Sequence, residues 1–216
     1  MWQKALDLAL ELVAPSRCAA CGEASRSLFC ADCGEPSSAP KEELLGLPLL
    51  AGGLYGPPLK QAIHRYKYGG CPELARGLAR LLTDHIRALE LSPDDAFVPV
   101  PLHPARLAER GYDQAALVAQ ALARAHRARF IPRLLERLRD TSKQAALDRS
   151  ARSDNIAGAF RQRQASGSGR LVLVDDVVTT GATIQACLCA LAQGGTSVLA
   201  VASLARARSE TGPENG

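Results

Sequence analysis

No apolar run in this chain approaches the ~20 residues that a helix needs to cross a bilayer, which excludes a helical membrane protein. The first residues do not read as a secretory leader either, because Asp7 and Glu11 interrupt their apolar positions. Two common nucleotide-binding loops are missing: there is no Gly-x-x-x-x-Gly-Lys-Thr, and no Gly-x-Gly-x-x-Gly after a strand. A strong excess of either charge is lacking, since 26 Lys and Arg against 22 Asp and Glu leave a net +4 over 216 residues. It is unevenly spread, however. Between Pro101 and Arg170, Arg and Lys outnumber Asp and Glu by more than two to one. That bias suits an anionic ligand or nucleic acid, and equally a solvated arginine-rich surface. With 47% hydrophobic and 22% charged residues, the composition is that of an ordinary globular protein, long enough for one main core and an appendage. The expected compartment is cytoplasmic. Thiols stay reduced there, so seven cysteines imply metal or burial rather than disulfides.

The chain is organised around Leu171-Val-Leu-Val-Asp-Asp-Val-Val-Thr-Thr-Gly-Ala-Thr183. Leu171 to Val174 form the unbroken apolar run of a strand buried in a parallel sheet. Asp175 and Asp176 follow at its carboxyl end. Thr179, Thr180 and Gly181 make a turn into a helix that begins near Ala182 and Thr183 and buries Ile184, Cys187, Leu188 and Leu191. Gly194-Gly195 closes it. Such a turn presents unpartnered backbone N–H groups and the positive end of the helix dipole, a cradle for one phosphate. Adjacent carboxylates can accept hydrogen bonds from a vicinal diol or hold the waters of a magnesium ion. Side by side, the two describe a site for a ribose 5-phosphate; the plainer alternative is a strand–turn–helix with a threonine cap and two solvated acids.

Cys18-Ala-Ala-Cys21-Gly22 and Cys30-Ala-Asp-Cys33-Gly34 supply four thiolates on two knuckles. Tetrahedral zinc is the default in a reducing compartment, and iron in a rubredoxin-like site is the chemical rival. A closed four-thiolate site has no open position, so the metal is structural. Before it, residues 2–13 space Trp2, Leu6, Ala9 and Val13 as a short amphipathic helix, either packed on the domain or docked elsewhere. Residues 35–48 read as a linker.

Beyond the linker, residues 49–55 suit a strand, 57–66 a helix, and 73–89 a single helix with one apolar face. Lys60, His64, Arg65 and Lys67 cluster beside Tyr66 and Tyr68, a mixture that holds phosphates or stacked bases, or is simply a solvated helix end. Residues 96–100 form a second buried strand whose carboxyl end faces the same crevice as Asp175. A helix spans 113–126, and a short strand falls within 129–135. Residues 140–153 have no apolar rhythm and read as a long polar loop. A further strand occupies 197–204, and the tail from Ser209 reads as disordered.

The thirteen-residue stretch resembles the phosphoribosyl-pyrophosphate (PRPP) motif of type I phosphoribosyltransferases. The chain from Cys18 to about Arg206 resembles the ComF family of natural-competence proteins. Further residues that carry the likeness are His64-Arg-Tyr-Lys-Tyr-Gly-Gly70, Val98-Pro-Val-Pro-Leu102, Arg110-Gly-Tyr-Asp-Gln114 and Gln144…Arg152…Asn155…Gly158-Ala-Phe160. The resemblance implies an α/β fold, an open and mainly parallel sheet flanked by helices, with the zinc-binding segment (1–48) as a hood over a phosphoribosyltransferase-like domain (49–208). It implies PRPP held by Asp175, Asp176, residues 179–183 and Lys67, with Lys143, Gln144, Arg149 or Arg152 reaching the pyrophosphate from a closing loop. Arg106 and Arg110 would bind pyrophosphate, whose paired phosphates suit guanidinium forks, or remain surface cations. Magnesium would accompany PRPP. The implied role is Mg-dependent phosphoribosyl transfer, or else PRPP sensing joined to single-stranded DNA or a competence helicase.

Overall fold

The computed structural model describes residues 16–139 and 158–207. The expectations for residues 2–13, for Lys143, Gln144, Arg149 and Arg152, and for the tail from Ser209 lie outside the described residues.

The described elements run β1 (Glu42–Leu44), β2 (Leu47–Ala51), α1 (Leu59–Tyr68), α2 (Leu74–Arg80), α3 (Thr83–Arg87), β3 (Ala96–Pro99), α4 (Pro104–Arg110) and α5 (Gln114–His126). They continue with β4 (Arg129–Phe130), β5 (Leu135–Arg137), β6 (Phe160–Gln162), β7 (Leu171–Val178), α6 (Ala182–Gln193) and β8 (Val198–Arg206). Six strands form one sheet in the order β1-β2-β8-β7-β3-β4, parallel except for the β1–β2 hairpin, while β5 and β6 pair antiparallel by themselves. This is the open, mainly parallel α/β sheet that the sequence implies.

The centre of the sheet explains the apolar run. Side chains alternate faces along a strand, so Val172 and Val174 of β7 enter the core with α1, α2, α3 and α5, whereas Leu171 and Leu173 enter the core with α6, β5 and β6. Both faces are covered, which is why the strand alternates no polar residues until Asp175.

Two expectations need correction. The presumed linker 35–48 contains β1 and the start of β2, joined by a turn with positive φ at Leu45 and Gly46. Leu-Gly lacks the Asn-Gly or Asp-Gly signature of such hairpins. The presumed helix 73–89 is two helices. Leu81 and Leu82 donate their N–H groups three residues back, to Leu78 and Ala79, and this tighter turn ends α2 before α3 begins. The short strand expected within 129–135 is β4, while β5 begins at Leu135 and belongs to the two-stranded sheet. β7 extends past the apolar run to Val178, so Asp175 and Asp176, expected at the strand's carboxyl end, belong to the strand itself.

Candidate functional site

β3 and β7 end at different heights. Pro99 is opposite Val174, and the N–H of Val100 gives its hydrogen to the Val174 carbonyl at 2.8 Å, after which β7 continues alone on that side. On its other side β7 stays paired with β8 through Val178. Asp175 and Asp176 therefore stand at the carboxyl end of the sheet beside an open notch, where open α/β sheets bind ligands. The notch is a cleft of about 320 Å³ lined by Lys67, Tyr68, Val100 to Leu102, Arg106, Arg110, Ala115, Arg137, Asp175 to Val177 and Thr183.

The two acids differ. Asp176 is held by Lys67, whose Nζ lies 2.7 Å from Oδ1. The Asp175 carboxylate accepts the N–H of Asp176 at 2.8 Å. Burial first, and then the negative charge of Asp176, push the Asp175 carboxyl up to about 7. Adjacent carboxylates, with Asp175 raised by its neighbour's charge, suit a cation or hydroxyl donors, which would relieve the repulsion.

Beyond the acids, Gly181 adopts φ +84°, and α6 begins at Ala182. The Thr180 hydroxyl accepts the Ala182 N–H at 3.4 Å. A Cβ on Gly181 would stand 2.7 Å from Leu44 Cδ1, so the β1–β2 hairpin lies directly on this turn. Arg206, at the end of β8, donates to the Thr179 carbonyl and bonds Glu42 Oε1 at 2.5 Å. The turn is thus braced from two directions.

The opposite wall is built by Arg110-Gly-Tyr-Asp-Gln114. Gly111, with φ +79°, ends α4. Asp113 caps α5 by accepting the Ala116 N–H at 2.9 Å and also accepts the Leu102 N–H at 3.4 Å, tying the loop after β3 to that helix. Burial raises its carboxyl above the usual range, with Asp176 adding to the effect. Tyr112 donates its hydroxyl to the Tyr66 carbonyl, and Tyr66 donates its own to the Gln114 carbonyl at 2.8 Å. Arg110 bonds Gln114 Oε1 at 3.0 Å and the Tyr68 hydroxyl at 3.3 Å, with its guanidinium 5.0 Å from the Tyr68 ring. Tyr68 is 59% exposed, leaving an aromatic surface at the rim of the cleft. Arg106, on α4, is 3.5 Å from Glu109.

The four cysteines form the second centre. Sγ atoms of Cys18, Cys21, Cys30 and Cys33 all lie within 4.8 Å of one another, and those of Cys21 and Cys30 are 3.7 Å apart. Zinc–sulfur bonds of about 2.3 Å in a tetrahedron place sulfurs roughly 3.8 Å apart, so the set fits such an ion. The N–H groups of Gly22 and Gly34 bond the carbonyls of Cys18 and Cys30, each at 3.0 Å, winding both knuckles. Burial opposes ionisation of Cys18, yet the backbone N–H groups of Cys21, Cys30 and Ala20 bring its thiol down to about 6. The neighbouring Cys30 and Cys21 sulfurs push Cys33 up to about 12. Four sulfurs that cannot all ionise unaided are a set that a dication would complete. Cys18, Ala19, Ala20 and Phe29 are buried in the same core as α1.

Of the residues expected at the cleft, Lys67, Arg106, Arg110, Asp175, Asp176 and Thr183 line it together. Thr179, Thr180, Gly181 and Ala182 form the adjoining turn and helix start. Lys143 and Arg152 are outside the described residues. Asp113, Gln114, Arg137 and the Arg206–Glu42 brace had no assigned role, and Tyr68 was expected only as part of the basic and aromatic cluster around the end of α1. The Asp113 cap was legible in its spacing ahead of α5, but Arg206 had no local signal.

An open α/β sheet carrying two acids and a glycine turn at its carboxyl end, joined to a four-cysteine knuckle, defines the class. No family model matches the chain. It is 32% identical over 203 residues to DNA utilization protein YhgH of Escherichia coli strain K12, covering 88% of this chain and 89% of that protein. It is 31% identical over 206 residues to Competence protein F of Haemophilus influenzae, covering 88% and 90%. Competence protein ComFC of Streptococcus pneumoniae is 27% identical over 200 residues, covering 93% and 85%. The chain belongs to this family, the ComF family. Among solved structures, TT1426 from Thermus thermophilus aligns over 64% of this chain and 86% of its own at 18% identity and a TM-score of 0.39.

Proposed function

We propose that this protein binds PRPP with magnesium in the cleft at the end of β7 and serves DNA utilization or competence, the roles named for its relatives. The observation that carries the ligand reading is the meeting of Asp175, Asp176, Lys67, Arg106, Arg110 and Thr183 in one cleft. The 5-phosphate would take the N–H groups and hydroxyls of residues 179–183. The ribose hydroxyls would be accepted by Asp175 and Asp176. Asp175 and Asp176 are the residues that would hold magnesium, which would supply positive charge toward the leaving group.

In the transfer reading, the bond from the anomeric carbon to pyrophosphate breaks with its electron pair leaving on the pyrophosphate oxygen. A nitrogen of the acceptor forms the new bond and loses its proton to solvent. Arg106 and Arg110 stabilise the charge that gathers on pyrophosphate. No protein nucleophile is required. Calorimetry with PRPP and magnesium tests binding, and pyrophosphate release in the presence of candidate bases tests turnover. Binding and release should both fall at least tenfold in Asp176→Asn, a loss typical of a charged hydrogen bond; a titration without heat at any concentration would sink the reading.

A second reading draws on the exposed Tyr68 ring beside Arg110 and His64. An aromatic surface among cations suits single-stranded DNA, with PRPP as a sensed ligand and a competence helicase as partner. DNA affinity should then fall steeply with salt and weaken in Tyr68→Ala; affinity indifferent to both would remove it.

We further propose that the knuckles hold one structural zinc per chain, to be checked by elemental analysis of the purified protein. Iron, the other metal suited to four thiolates, would announce itself by colour.

A further inference from the structure

Helix α1 touches both centres. Arg65 sends one Nη1 to two carbonyls of the first knuckle, Cys18 at 2.7 Å and Ala19 at 2.9 Å. Two residues on, Lys67 holds Asp176 at 2.7 Å. Two helical steps turn the chain by about 200°, so these side chains leave opposite sides of the helix. Between them Tyr66 is fully buried and fixed at both ends, its hydroxyl on the Gln114 carbonyl and its own carbonyl under the Tyr112 hydroxyl. The last turn of α1 is therefore anchored as a rigid piece. A rotation that released Arg65 from the knuckle would carry Lys67 away from Asp176.

The contact falls on the wound turn of the first knuckle. The Cys18 carbonyl already accepts the Gly22 N–H at 3.0 Å, and a Cβ on Gly22 would stand 3.3 Å from Arg65 Nη2. With this turn wound, the two carbonyls converge on one guanidinium nitrogen. Four thiolates around a dication also carry net negative charge, for which a half-buried guanidinium is a fitting neighbour.

We propose that Arg65 is a positioning residue through which the four-cysteine knuckle, when closed on a metal, sets Lys67 against Asp176. The inference rests on the metal reading and gives the knuckle a bearing on the PRPP cleft beyond folding.

The test measures acylation of individual lysines by mass spectrometry in the full, metal-loaded chain. Asp176→Asn, which breaks the pair directly, should raise the rate at Lys67 roughly fivefold. Arg65→Met should produce a rise of the same order, and Arg65→Lys a smaller one, while Lys60 in the first turn of α1 stays as reactive as before. Removing the metal from the unaltered chain with a chelator should do the same, which keeps the test decisive if Arg65→Met does not fold. An unchanged Lys67 in both Arg65→Met and the stripped protein overturns the proposal, as does an equal rise at Lys60, which marks general loosening. The labelling needs no PRPP. A Lys67 response without PRPP binding would sink the ligand reading alone, and PRPP binding without that response would sink this one alone.

Discussion

Arg206 and Glu42 stand 164 residues apart in the chain and 2.5 Å apart in the fold, Nε to Oε1. The same guanidinium reaches the Thr179 carbonyl, so the end of β8 clamps both the β1–β2 hairpin and the turn before α6. Arg206→Met should loosen that turn. PRPP affinity is expected to fall about tenfold, the equivalent of one charge-assisted hydrogen bond network, with the fold intact by circular dichroism. Unaltered affinity by calorimetry would show that the turn needs no clamp.

Gly181 is subject to two constraints, the left-handed φ of +84° and the Leu44 methyl 2.7 Å from where a Cβ would lie. Gly181→Ala should cost about 2 kcal/mol in chemical denaturation and weaken phosphate binding. Adding Leu44→Ala removes the collision and leaves the backbone penalty, so the double variant should recover part of the binding but not all of it. Full recovery would mean that the strained φ is of no consequence.

The Asp175 carboxyl, raised to about 7 by burial and by Asp176, gives a pH dependence of defined sign. An unfolded aspartate ionises near 3.9, so the native state is favoured below that value and loses stability as pH rises through 7. Asp175→Asn has no such titration. Its melting temperature, measured without ligand, should gain on the unaltered protein between pH 4.5 and pH 8 by about 5 °C. A difference that shrinks over that range would contradict the assignment.

Asp95 gives the opposite sign. It is buried, accepts the Arg170 N–H at 2.8 Å and pairs with Arg170 Nη2 at 2.7 Å, contacts that hold its carboxyl well below the ordinary range. The stability it contributes is present above about pH 3.9 and fades as the pH falls further. Asp95→Asn should destabilise by about 2 kcal/mol at pH 7, a moderate loss because Arg170 is half exposed. Urea titrations should show the gap narrowing below pH 4.

Much of the site could be read before the fold was known, because its parts are local. Asp175 to Thr183 is one continuous stretch, the four cysteines are two short repeats, and Asp113 stands at the expected distance ahead of an apolar helix face. Local pattern misled where tertiary contacts decide. The acids sit inside β7 because β8 continues to pair with it, a fact about another strand. Leu45-Gly46 turns a hairpin without a turn signature because β2 is already committed to β8. Lys67 and Asp176 were each legible as charged residues of the site, but their pairing across more than a hundred residues was not.

The unequal ends of β3 and β7 carry a constraint on how this family can vary. The notch exists because one strand stops where its neighbour does not, and the loop from Val100 to Leu102 bends away at that step. Extra residues that prolonged β3 would zip onto the bare edge of β7 and fill the pocket with backbone. Insertions should therefore be tolerated after α5, while the length of the segment joining β3 to α4 has little freedom to drift.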